Sequence, residues 1–251
     1  MLKYYNQNGI VNARNLYRKD ENFPKTVILS WQVQFESELK RRFEVTDYSK
    51  KLCAGGCNII IRTFDIEGVK LGFALLPAGG PIASMMMEEI SALGAEKFVF
   101  IGSCGNLLDS KSDSLIVPTR ALRDEGTSYH YLPSEEEFVE VETAQFTDAF
   151  LDEIKVPHKL GATWTTDAFY RETSGALKEA RDKHCICVEM ECASIMAVSK
   201  AKNLPAYQIL FTADKLESDN WNLGRLKSMG FSTYGTYLEI AIELAEKVNS
   251  I

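Results

Sequence analysis

The sequence is short of positive charge. Against 28 lysines and arginines stand 35 aspartates and glutamates, leaving a net charge of −7. Nucleic acid and anionic membrane surfaces both call for clustered positive charge, so neither is an expected partner. The triplet Lys40-Arg41-Arg42 reads as a solvated helix end, where cations suit the helix dipole. No apolar run approaches the ~20 residues that a membrane-spanning helix needs. The first residues, MLKYYNQNGIVNARNLYRKDENF, are polar and lack the apolar core of a secretion signal. A cytoplasmic location is expected. Repeats, low-complexity stretches and linker-like composition are also missing. One domain over residues 25–251, preceded by an N-terminal extension of residues 1–24, is the economical reading.

Metal-ligand patterns are sparse. The three histidines are His130, His158 and His184, and there are six cysteines. Cys53 and Cys57 have no second ligand pair at finger-like spacing. On a strand, Cys185 and Cys187 would share a face that His184 does not. No metal is expected. Cys104, Cys185, Cys187 and Cys192 lie in apolar runs and read as reduced, buried thiols.

Strand and helix signals alternate from residue 70 onward. Apolar runs at 26–30, 58–64, 69–76, 97–105, 114–119, 186–190 and 205–214 read as strands. Residues 65–68 read as the turn of a hairpin between the second and third. A further strand from 158 ends in a loop by 170. Helical patterns occupy 34–43, 82–94, 144–154, 174–183, 192–203 and roughly 234–248. The fold class implied is α/β, with a largely parallel or mixed central sheet covered by helices. Ligands of such sheets bind beyond the carboxyl ends of the strands. That directs attention to residues 103–105, 166–170, 189–191 and 214.

Gly102-Ser103-Cys104-Gly105 lets backbone N–H groups approach an anion, and Ser103 adds a hydroxyl. It lacks the spacing of a dinucleotide fingerprint and the lysine of a P-loop. Taken alone it is a tight turn. Glu191 suits a helix N-terminus, but Glu189 lies inside an apolar strand, where a carboxylate must find donors. Vicinal sugar hydroxyls are suitable donors, and Met190 between the two acids offers an apolar surface for the sugar. Asp214 closes an apolar strand, either as a capping residue or as a general acid. Phe169 and Tyr170 are core aromatics or a platform for a flat heterocycle. Together these are the parts of an enzyme that cleaves a base from a sugar.

Gly102–Gly105, Thr-Asp-Ala-Phe-Tyr at 166–170, Val-Glu-Met-Glu at 188–191 and Thr-Ala-Asp at 212–214 resemble the nucleoside phosphorylase/uridine phosphorylase family in order and rough spacing. PAGGP at 77–81 and RDEGTSYHY at 123–131 add to the likeness, which covers roughly residues 26–249. The resemblance implies the phosphorylase/hydrolase-like nucleoside phosphorylase fold and a homo-oligomer, dimer or hexamer. It also implies a nucleoside substrate and no cofactor beyond phosphate as co-substrate. Glu189, Met190 and Glu191 would hold ribose, Phe169 would stack on the base, and Ser103 and Gly105 would form the phosphate or nucleophile site. Asp214 would be the acid that activates a purine at N7. Uridine-specific members carry Gln and Arg where this chain has Thr173 and Gly175, so with Asp214 present the likeness leans toward purines, and Arg171 and Glu172 are further candidates for contact with the base.

The chain departs from the family at the phosphate site. Gly-Asp-Pro-x-Arg is absent after the first strand, where Trp31-Gln32-Val33-Gln34-Phe35 stands, and the arginine two residues before the glycine turn is Phe100. Phenylalanine has no donor for a phosphate. Three readings stay open. In the first, which family membership favours, phosphorolysis yields ribose 1-phosphate, with a cation recruited from Arg120, Arg123 or a neighbouring subunit. In another the enzyme is a nucleosidase that uses water, with Glu36 as the nearest acid. In the third the protein binds a nucleoside without cleaving it.

Overall fold

Thr26–Ser30 forms β1, buried along its whole length, as befits a strand covered on both faces. The structure, a computed structural model, describes residues 4, 6–7, 9–48, 52, 56, 58–108, 115–133, 135–217, 220–224 and 229–251. After β1 come α1 (Val33–Arg42), β2 (Thr46–Asp47), β3 (Arg62–Ile66), β4 (Val69–Leu75), α2 (Gly80–Leu93) and β5 (Lys97–Asn106). Then follow β6 (Leu115–Asp124), α3 (Ser128–Tyr131), β7 (Phe138–Glu140), α4 (Ala144–Glu153) and β8 (His158–Thr166). The chain continues through α5 (Ser174–Asp182), β9 (Cys185–Glu189), α6 (Cys192–Lys202), β10 (Ala206–Leu216), β11 (Trp221–Asn222) and α7 (Phe231–Asn249).

The strands form one mixed sheet. Five of them close on themselves. β5 pairs with β10, β10 with β6, β6 with β8, β8 with β9, and β9 returns to β5. From this ring the sheet extends through β1 to β4, β3 and β2. β5 belongs to both parts. Its residues 97–101 pair with β1, while Gly105 and Asn106 pair with β9. Between Ile101 and Gly105 it exchanges one neighbour for another, which opens a crevice on that edge at Gly102-Ser103-Cys104. A crevice where strand neighbours diverge is where open α/β sheets bind ligands.

The largest apolar cluster lies around β1, β4 and the first half of β5, packed beneath α1, α2, α6 and α7. α7 rests on α1, β1 and β5, and its Tyr234 packs edge-on to Phe35 of α1. The segment before β1 is tied down. Phe23 is buried in this cluster. The backbone N–H of Asp20 donates to Leu93 O at 2.8 Å, and its carboxylate accepts the Tyr48 hydroxyl at 2.7 Å.

Several elements differ from the sequence expectation. The hairpin turn is two residues, Glu67 and Gly68, both at positive φ, with Ile66 paired to Val69. This tight turn matches the twist of its strands better than a four-residue one. β3 starts at Arg62 rather than 58, and Ile59 instead forms a lone bridge to Leu52. β6 runs on to Asp124. β7, β11 and α3, each four residues or fewer, are too short for periodicity to register. α7 starts at Phe231. His184 sits at φ 64 in the turn before β9 rather than on the strand. Cys53 and Cys57 lie outside the described residues. Cys104, Cys185, Cys187 and Cys192 are free and buried. Among the described residues no helix is long and apolar enough to cross a membrane.

Candidate active site

One cavity at the β5 crevice is lined by Ser103, Gly105, Phe169, Glu189, Met190, Glu191 and Asp214. These are the seven positions singled out from sequence. Trp31, Gln32, Cys104 and Glu172 also line it, and the sequence reading had not assigned the first three of these to a site. A larger outer cavity adjoins it through Phe169 and Glu172, bounded by Tyr170, Leu216 and Trp221.

β10 supplies Asp214. The strand follows β5 in register up to Thr212 opposite Cys104, then slips so that Asp214 faces Gly105. The slip leaves Ala213 as an extra residue, and such a bulge re-aims the side chain beside it. Gly105 is the point of closest approach. A Cβ there would lie 2.9 Å from both Val188 Cγ1 of β9 and Leu216 Cδ1 of β10. Asp214 Oδ2 accepts a 2.6 Å hydrogen bond from the Trp221 indole N–H. Burial pushes the Asp214 carboxyl up, and the indole pulls it back.

β9 ends on Glu189, and Glu191 caps α6. The two acids have separate duties. Glu189 is buried and fully engaged by the protein. Oε1 accepts the Thr165 hydroxyl at 2.6 Å and that of Thr163 at 3.3 Å. Oε2 accepts the N–H groups of Glu191 at 2.8 Å and Cys192 at 2.6 Å. Four donors use the accepting capacity of a carboxylate, so Glu189 locks the strand-to-helix junction and has no lone pair left for ribose. Glu191 Oε1 accepts the Gly79 N–H at 2.7 Å. Gly79 sits at φ 117, which favours glycine and explains part of the PAGGP motif. Burial, and then the Glu189 charge, push the Glu191 carboxyl up to about 8.

Phe169 lies in a short 3-10 turn, Phe169–Arg171, after β8. Its ring packs at near right angles to those of Tyr170 and Trp221, with centroids 5.0 and 5.7 Å away, so the three form an aromatic cluster at the cavity wall. Glu172 follows the turn. Burial, and then the charge of Asp214, push its carboxyl up to about 7.

On the nucleophile side the lining is neutral. Gln32 Nε2 donates to Ser103 Oγ at 3.0 Å. Ser30 Oγ donates to Ile101 O at 2.7 Å and lies 3.3 Å from Gln32 Oε1. Phe100 is wholly buried between Trp31 and Phe98, so the position where the family resemblance calls for arginine is sealed into the core. Arg123 spends its guanidinium on Ser128 Oγ and the carbonyls of Leu132, Pro133 and Glu136. Arg120 lies over the Phe138 ring. Neither reaches the cavity, which corrects the expectation that one of them replaces the missing clamp. Glu36 pairs with Lys40 and Arg62 instead of facing the cavity. Among the described residues the lining holds four carboxyl groups and no lysine, arginine or histidine. No cluster of metal-ligating side chains occurs among them.

The family model for the phosphorylase superfamily matches residues 29–229. The chain is 29% identical over 161 residues to a guanosine phosphorylase of Halorubrum lacusprofundi, covering 61% of this chain and 65% of that protein. It is 30% identical over 146 residues to a uridine phosphorylase of Haemophilus influenzae, covering 51% of this chain and 57% of that protein. The matched part thus spans about three fifths of these curated relatives. An AMP nucleosidase structure from Bacteroides thetaiotaomicron superposes with a TM-score of 0.69 at 19% identity, covering 92% of each chain. A uridine phosphorylase from Vibrio fischeri superposes with a TM-score of 0.75 at 18% identity, covering 95% of this chain and 99% of that one. At these identities the two structures establish the fold.

Proposed function

The chain belongs to the phosphorylase superfamily, and from that membership we propose that it cleaves the N-ribosyl bond of a purine nucleoside with water as the acceptor. The observation that carries the choice of water is the cavity lining. Among the described residues the lining offers a phosphate dianion four carboxyl groups and no cation to balance its charge. Water has no charge to balance, and the hydroxyl of Ser103 and the amide of Gln32 are suited to orient it.

In this reading the base stacks on Phe169, and Asp214 protonates it at N7. The C1′–N9 bond breaks with its electron pair leaving on the base. Glu191 accepts the ribose hydroxyls through the oxygen not used by Gly79, and Met190 packs on the sugar. The developing positive charge at C1′ suits an acid-rich pocket. Water adds its oxygen to C1′ and gives up one proton, replacing the one Asp214 gave to the base. The products are free purine and ribose. Glu189 acts through position, by fixing the backbone on which Glu191 stands.

A second reading, phosphorolysis to ribose 1-phosphate, is favoured by the names of the relatives, guanosine and uridine phosphorylase. A panel of inosine, guanosine, adenosine and uridine, each with and without phosphate, separates the two by product. The proposal expects ribose and a purine base. Ribose 1-phosphate supports the second reading, and uracil release in preference to purine release rejects the purine assignment.

A further inference from the structure

Glu172 differs from the other carboxyl groups of the cavity. Glu189 is saturated with donors, Glu191 takes the Gly79 N–H, and Asp214 takes the Trp221 indole. Among the described residues Glu172 has neither a hydrogen bond nor an ion pair, and Asp214 is the one charge acting on it. It is half-buried, three residues beyond Phe169, and lines both the inner and the outer cavity. A desolvated carboxyl without a partner at a cavity wall is an expense that folding alone does not explain.

We propose that Glu172 is a specificity-determining residue, reading the substituent at C6 of a purine stacked on Phe169. The inference rests on the purine-cleaving reading above. N7 and the C6 substituent are neighbours on one edge of a purine. If Asp214 meets N7, a second carboxyl that faces Asp214 beside the same aromatic ring is positioned for C6. A protonated carboxyl donates to a 6-keto oxygen, and an ionised one accepts from a 6-amino group. The other titratable groups facing these cavities are Asp214, Glu189, Glu191, Glu217, Tyr170 and Cys104. None is cationic at neutral pH, so among the described residues no fixed positive charge at these cavities holds Glu172 in its ionised form. Burial and Asp214 leave both of its forms populated near neutrality. The enzyme therefore prefers 6-oxopurines at lower pH and gains in relative preference for 6-aminopurines as pH rises.

The test is calorimetric binding of hypoxanthine and adenine to the full chain between about pH 5.5 and 8, for the wild type and Glu172→Gln. The ratio of the two affinities is expected to move by about tenfold in the wild type, the scale of one hydrogen bond. It is expected to be independent of pH in Glu172→Gln, whose amide both donates and accepts. A ratio that is flat in the wild type, or that moves equally in Glu172→Gln, overturns the proposal. Binding of the free bases requires no turnover, so the result stands apart from the choice of acceptor. Failure of both bases to bind overturns the proposal together with the purine reading.

Discussion

The indole N–H of Trp221 donates to Asp214 Oδ2 at 2.6 Å. A short strand, β11, thus reaches back to the strand-end acid and stabilises its ionised form. Replacing Trp221 with Phe keeps the ring and removes the donor. The Asp214 pKa then rises, because hydrogen bonds to a carboxylate lower it. If Asp214 acts as the general acid, the alkaline limb of the kcat/KM profile shifts to higher pH. An unmoved limb separates Asp214 from the acid role.

Asp214→Asn removes the proton donor while keeping the shape. General acid catalysis contributes about 10²–10⁴ in rate, so kcat falls on that scale with KM little changed. Full turnover by this variant rules Asp214 out as the acid.

Glu191→Ala removes the one Val-Glu-Met-Glu carboxylate with an oxygen left for the sugar. An ordinary hydrogen bond contributes ~0.5–1.5 kcal/mol, and both KM and kcat should suffer. Glu189→Gln should act differently. It unsettles the Glu191 and Cys192 backbone, lowering thermal stability as well as activity.

Stability should fall as pH rises. The folded protein holds Glu191 up to about 8 and Glu172 up to about 7, against an ordinary 4.5. Between 4.5 and these values the folded state binds protons that the unfolded state has released, so the slope of stability with pH is negative. Glu191, almost fully buried, contributes ~1.4 kcal/mol per pH unit at most. The more open Glu172 contributes less. Thermal denaturation from pH 5 to 8 should show a declining Tm, and Glu191→Gln should flatten it.

Gly105→Ala places a methyl group 2.9 Å from Val188 and Leu216 side-chain carbons, at the position paired with Asp214 beside the bulge. Overpacking of this kind costs ~1–3 kcal/mol. Lower Tm and lower kcat are expected together, since the neighbours that must move frame Asp214.

Much of the site was legible because its residues end long apolar strands, where periodicity and the rule of strand-end binding agree. Ser103, Glu189, Glu191 and Asp214 were singled out that way, and Phe169 as an aromatic in the loop after a strand. Trp221 was not, because a two-residue strand carries no periodic signal and its contact depends on a bulge that sequence does not announce. The separate duties of Glu189 and Glu191 were hidden as well. Alternation places both on one face, but the chain turns into α6 between them, so one points to Thr165 and the other to Gly79. The fold class was readable from alternating strands and helices, whereas closure of the five-strand ring follows from β9 running antiparallel to β5, a long-range pairing. Phe100 in place of arginine was plain in the sequence, but its burial between Trp31 and Phe98 appears only in three dimensions.

The choice of acceptor is tested most directly by turnover of inosine in ¹⁸O-labelled water with saturating phosphate present. A lining without lysine, arginine or histidine among the described residues predicts free ribose carrying one labelled oxygen at C1′, read by mass spectrometry before exchange at that carbon, with hypoxanthine release indifferent to phosphate. Unlabelled ribose 1-phosphate, formed at a rate that rises with phosphate, would contradict it.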